Sequence, residues 1–153
     1  MDRAKFLVAM AFLALLATGC PTAHGPTKNT AKPNSVPASL IGTDWVLQDL
    51  AGTPALPNAK ATLAFPESGR VAGNGSCNRF TGSAEISGDT IKFGMLASTR
   101  MACMDNGVSS QETEYLKALG AAKRFELKDA TLLIYAEGYE KPLRFERTTT
   151  AKP

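Results

Sequence analysis

The stretch GNGSCNRFTG, residues 73–82, sets a single cysteine among three glycines, two asparagines, an arginine and two hydroxyl side chains. Three structures would want such glycines: a reactive-thiol site, a phosphate cradle and a shaped turn between strands. The residues that follow decide between them. A phosphate-binding loop runs from a strand through glycines into a helix whose N-terminus faces the anion. Here RFTGSAEI, residues 79–86, resumes an alternating apolar and polar pattern, which is a strand. A reactive thiol would need a base such as His, and the single histidine, His24, lies far upstream of the expected strands, so the reading that remains is a turn. Gly73, Gly75 and Gly82 then permit positive φ, close backbone approach or a bulge, and Asn74 and Asn78 satisfy neighbouring backbone groups.

Working outward, the same period near two recurs with turn signals every 8 to 12 residues, which predicts a mainly β (α+β) unit with an antiparallel, meander-like order. The expected strands cover 44–50, 61–65, 70–75, 80–86, 90–93, 124–128, 131–136 and 143–147. Their separators, such as Glu67-Ser68-Gly69, Ser87-Gly88-Asp89 and Lys128-Asp129-Ala130, have hairpin length and composition. One segment departs from the pattern. SSQETEYLKALGAA, residues 109–122, places Ser109 and Glu112 at capping-box spacing and Tyr115, Leu116, Leu119 and Ala122 on one helical face. It is expected to be an amphipathic helix plugging one side of a curved sheet, with Glu112 and Glu114 in its first turn.

The start of the chain concerns address rather than fold. MDRAKFLVAMAFLALLATGC begins with Arg3 and Lys5 and continues as an apolar run, too short for a spanning helix and ending in small residues, as a secretory signal does. Ala17-Thr18-Gly19-Cys20 resembles a bacterial lipobox, so residues 1–19 are expected to be removed and Cys20 acylated. Acyl chains would tether the protein to a membrane without spanning it, and more than one is needed for stable attachment. Pro21 follows the cysteine where an Asp would retain the protein at the inner membrane, so the outer membrane, facing the periplasm, is expected. Residues 20–39, with repeated prolines and no aromatic residue, read as a disordered tether. The folded unit is placed at 40–147 and a flexible tail at 148–153.

With Cys20 consumed, Cys77 and Cys103 remain as an even pair in an oxidising compartment, where a disulfide is the expected state. In the chain-entropy model, closing a loop of about 27 residues contributes roughly 3.5 kcal/mol. Zinc would need four ligands, and the single histidine, His24, lies in the tether. No cofactor and no metal is expected. The formal net charge is +3 with no Lys/Arg stripe, which argues against nucleic acid as a partner.

The residues also carry a resemblance. Trp45-Val46-Leu47 followed by Gly52, then Ser76-Cys77-Asn78-Arg79-Phe80-Thr81-Gly82, Ser98-Thr99-Arg100-Met101-Ala102-Cys103, and Glu114-Tyr115-Leu116 with Leu119 together resemble the META/HslJ domain. The resemblance covers residues 42–147 and implies a compact antiparallel β-barrel with one helix. Ser76 departs from it, since the family usually has glycine there. The resemblance also implies association with the bacterial envelope, heat-shock induction and tolerance of an aminocoumarin antibiotic, with no catalytic machinery attached.

A non-enzymatic envelope lipoprotein is therefore expected, monomeric and supporting stress or antibiotic tolerance by binding an envelope protein or an amphipathic small molecule. The alternative is a lipid-tethered inhibitor or assembly chaperone, organised like lysozyme inhibitors or secretin pilotins. Candidate site residues are Asn78, Arg79, Thr99 and Arg100, which flank the paired cysteines. The arginines read either as an anion site or as partners of loop carbonyls and carboxylates. An enzyme using Glu112 and Glu114 is disfavoured, because acids in a first helical turn are explained by the helix dipole.

Overall fold

The computed structural model describes residues 40–148. The expected signal, acylated Cys20, the tether with His24 and the residues after Thr148 lie outside these. The chain forms β1 (Thr43–Leu50), β2 (Thr53–Pro54), β3 (Thr62–Phe65), β4 (Arg70–Asn74), β5 (Arg79–Ser87), β6 (Thr90–Phe93), β7 (Ala97–Ser98), α1 (Asn106–Gly120), β8 (Ala122–Lys128), β9 (Thr131–Ala136) and β10 (Leu143–Arg147). The order around the sheet is β10-β9-β8-β6-β5-β4-β3-β1, and β1 pairs again with β10. Eight antiparallel strands thus close a barrel, which leaves no edge in the main wall. They are the eight strands expected from the sequence, with ends shifted by a residue or two. The two additional strands, β2 on β1 and β7 on β5, are two residues long and too short to show a period.

Closure rests on Trp45↔Arg147, Val46↔Glu146 and Leu47↔Phe145, with a bulge between Leu47 and Asp49. Strand alternation turns Trp45 and Leu47 of β1, Leu63 and Phe65 of β3, Leu132 and Ile134 of β9, and Leu143 and Phe145 of β10 inward, where all are buried. The weakest seam joins β6 to β8. It has one register pair, Thr90↔Arg124, supplemented by the Phe125 amide donating to the Asp89 carbonyl at 2.8 Å.

Helix α1 lies in the connection across that seam and contacts both β6 and β9. It buries Gln111, Tyr115, Ala118 and Leu119. Tyr115 is fully buried, meeting the Phe80 ring edge-on at 6.1 Å and the Phe145 ring at 6.1 Å, while its hydroxyl donates to the Thr62 carbonyl at 3.1 Å. The helical plug is as expected, but its start is not. The N-cap is Asp105, whose Oδ1 accepts from the Gly107 amide at 2.7 Å, and Ser109 lies a turn inside, so the Ser109/Glu112 capping box does not form. The capping motif was misplaced because Asp105-Asn106-Gly107 reads equally well as a turn. At the other end Ala122 belongs to β8 rather than to the helix.

Candidate functional site

The turn between β4 and β5 contains the cysteine of the opening stretch. Cys77 is bonded to Cys103, with the Cα atoms 6.1 Å apart, so the loop after β7 is pinned to this turn. Asn78 sits at the centre of the corner, 5% exposed. Its Oδ1 accepts from the Thr99 hydroxyl at 2.8 Å and from the Met101 amide at 2.7 Å. Its Nδ2 donates to Glu112 Oε1 at 2.8 Å and, at longer range, to the Met101 carbonyl at 3.4 Å. Glu112 completes the arrangement from α1: its Oε2 accepts the Asn78 amide at 2.6 Å and the Cys77 amide at 3.1 Å. A charge-assisted acceptor thus serves the turn as a cap serves a helix end.

This corrects the expectation for the helix acids. The first turn of α1 contains no acidic residue. Glu112 instead holds the β4–β5 turn, and Glu114 accepts from the Tyr139 hydroxyl at 2.6 Å. Gly75 allows the close approach, because a Cβ there would meet Glu112 Cγ at 2.7 Å. Ser76 has φ of 119°, a conformation that favours glycine, which explains its departure from the expected glycine as a tolerated strain. Two contacts accompany it: its amide donates to Asn74 Oδ1 at 2.8 Å, and its hydroxyl accepts from Gln111 Nε2 at 2.7 Å. Gln111 also donates to the Ala59 carbonyl and accepts from the Leu56 amide, which ties the β2–β3 connection to the helix. The roles of Glu112 and Gln111 were missed because the partners are 34 to 55 residues away in sequence. Their polarity on a helix face otherwise buried was the available signal.

Of the four residues expected at this corner, Asn78 is buried, Thr99 is exposed but has its hydroxyl bonded to Asn78, and Arg79 and Arg100 are exposed. Arg79 contributes through its backbone: its carbonyl accepts from the Thr99 amide at 2.9 Å, and its amide donates to Thr99 Oγ1 at 3.2 Å. The structural reading of the arginines, as partners of loop carbonyls or carboxylates, is corrected. Among the described residues neither guanidinium has a hydrogen bond or an ion pair, whereas Arg70, Arg124 and Arg144 each have a glutamate. In the same stretch of chain as Arg100, Met95 is 90% exposed, Met101 60% and Met104 fully so. Between the 96–103 segment and α1 runs a groove of about 800 Å3, bordered by Leu96, Arg100, Ser109, Thr113 and Leu116.

A second recess, of about 410 Å3, lies between the β1–β3 connection and α1, with Leu50, Pro54 and Leu56 on one side and Glu114 and Tyr139 on the other. The hydrogen bond from Tyr139, aided by Lys117, holds the Glu114 carboxyl below its ordinary range. Desolvation, and then the Glu114 carboxylate, push the Tyr139 phenol up to about 12. Burial alone pushes Tyr115 well up. Among the described residues no group of three His, Cys, Asp or Glu side chains is placed to hold a metal ion.

These features define a class: a small closed β-barrel, filled by its own side chains, stoppered by one helix and carrying a disulfide-pinned polar corner. Residues 38–149 match the family model of the META domain, and the chain belongs to that family. It is similar to a protein from Burkholderia xenovorans whose structure was solved by NMR, at 30% identity and a TM-score of 0.58, covering 72% of this chain and 84% of that one. A second NMR structure shares the fold at 23% identity and a TM-score of 0.58, covering 70% of this chain and 90% of the other. No curated protein gives a significant match.

Proposed function

We propose that this protein is a non-catalytic binding module of the bacterial envelope. In this reading it is exported by residues 1–19, acylated at Cys20 and tethered as a monomer to the outer membrane, where it supports tolerance of stress or antibiotics. Its disulfide-pinned corner meets a partner protein of the envelope. The observation that carries the reading is the contrast within that corner: Asn78, Thr99, Glu112 and both cysteines are engaged with one another, while Arg79 and Arg100 are exposed and have no side-chain partner among the described residues. Groups that could serve as nucleophile or base are thereby committed to architecture, which favours binding over turnover. An inhibitor or assembly chaperone would use the same surface.

The test is photocrosslinking in intact cells from positions 79 and 104, with position 92 on β6 as control. A discrete adduct from the first two and none from the third is expected, together with fatty-acid labelling that is lost in Cys20→Ala and greater sensitivity of the deletion strain to heat or a bulky apolar antibiotic. Unchanged tolerance, combined with conversion of an envelope substrate that one point substitution abolishes, would replace this reading with an enzyme.

The recess beside Glu114 favours a second reading, capture of an amphipathic small molecule. Its apolar walls and few convergent polar groups have the composition and size of a ligand site. A ligand of this kind would shift the Tyr139 and Leu56 resonances and leave those of the disulfide corner in place.

A further inference from the structure

We propose that the outer edge of β7 accepts an extended, acidic peptide segment of the partner as an added strand. The inference rests on the binding reading above and names its mode. In an antiparallel ladder, the amide and carbonyl of one residue point to the same side, and successive residues alternate. The Thr99 amide donates inward to the Arg79 carbonyl of β5, and the Met101 amide donates inward to Asn78 Oδ1. The register Phe80↔Ser98 then places the amide and carbonyl of Ser98 on the opposite side, together with those of Arg100. Ser98 and Arg100 both line the 800 Å3 groove.

The main barrel wall has no such edge. Beyond Phe93 the sheet splits, because β8 pairs with β6 only at Thr90↔Arg124 while β7 continues along β5 with no further strand paired to it among the described residues. Outward backbone groups two residues apart are the repeat that an incoming strand pairs with. The pinning disulfide and the Asn78 bonds hold this edge in extended form before binding, which reduces the ordering cost of association.

Charge specifies the occupant. Arg100 lines the groove and Arg79 is exposed on β5 opposite Thr99, neither with an ion-pair partner among the described residues, while Glu112, which also lines the groove, is turned to the Cys77 and Asn78 amides. Leu96 and Leu116 supply apolar floor on either side. The fitting segment alternates apolar side chains with at least one Asp or Glu.

The experiment uses the full-length chain in detergent, with a panel of alternating Val/Thr octapeptides bearing Asp at the first, a central or the last position. Hydrogen exchange read by mass spectrometry should slow across residues 96–101 for at least one Asp-bearing peptide, and not for the Lys-bearing counterparts. Ser98→Pro removes an outward amide while leaving the inward Thr99 amide, and should weaken binding about fivefold. Arg100→Glu should weaken it about tenfold and reduce its dependence on salt. Ser98→Ala, which retains the backbone groups, should bind like wild type.

The proposal is overturned if no peptide of the panel slows exchange there at millimolar concentration, or if Ser98→Pro, folded as judged by its melting curve, binds unchanged. It is overturned also if phosphatidylglycerol vesicles, and no peptide, protect this segment. Crosslinks from position 104 without strand pairing at Ser98 would retain the corner as a contact surface and refute strand addition alone.

Discussion

Glu112 shows how much one side chain can organise. Both its oxygens accept, from two backbone amides and the Asn78 amide group. Glu112→Gln would turn one acceptor into a donor facing a donor. We expect a loss of about 2 kcal/mol, seen as a fall in Tm of roughly 10 °C. Ser76→Gly should act in the other direction. Release of the positive φ outweighs the loss of one hydrogen bond from Gln111, which keeps its bond to Ala59, so denaturant unfolding should report a gain of up to about 1 kcal/mol. The Glu114–Tyr139 pair adds a pH signature. Glu114 is lowered from 4.5 in the fold, so its contribution is present above that pH and is lost as pH falls through the lower folded value. Tyr139 is raised from 10.0 to about 12, so its contribution holds below pH 10 and is lost as pH rises toward 12. Tyr139→Phe should flatten both arms of a Tm-against-pH curve, with Tyr115 maintaining part of the alkaline one.

At the scale of elements, α1 is both a plug and a strut. Its apolar side reaches the core through Tyr115, Ala118 and Leu119, and its polar side reaches three separate connections through Gln111, Glu112 and Glu114. Fraying the helix at its start therefore loosens the site as well as the helix. Asp105→Ala removes the cap two residues from Cys103 and should cost about 1 kcal/mol. Amide exchange at Cys77 and Asn78 should rise with it, since Glu112 lies two turns further along. The strands were legible because alternation survives through most of the wall, as in β3, β6 and β9, and is interrupted in β1 and β8 only where their registers shift. The helix was legible as an element, but its first turn was not: Asp105-Asn106-Gly107 has turn composition, and only the bond from Gly107 to Asp105 shows which turn it is.

Across the whole molecule, closure is uneven. The β8–β9 and β1–β10 pairings run through several residues, whereas β6 and β8 meet at one register pair and the Phe125 amide. Native-state hydrogen exchange should find Phe125 opening well before the β9 and β10 amides, because α1 rather than a ladder covers that seam. Equal protection on both sides would show a wall more uniform than its hydrogen bonds. By itself the sequence determined the eight wall strands, the existence of the helix and the pairing of Cys77 with Cys103, since period, turn composition and cysteine arithmetic are local or countable. Only the tertiary structure decided that Glu112 is a strut, that Asn78 faces inward and Arg79 outward, and that β7 has a free edge beside a groove. These depend on which residues meet across 20 to 55 positions of chain, and contacts at such separations leave no period in the sequence.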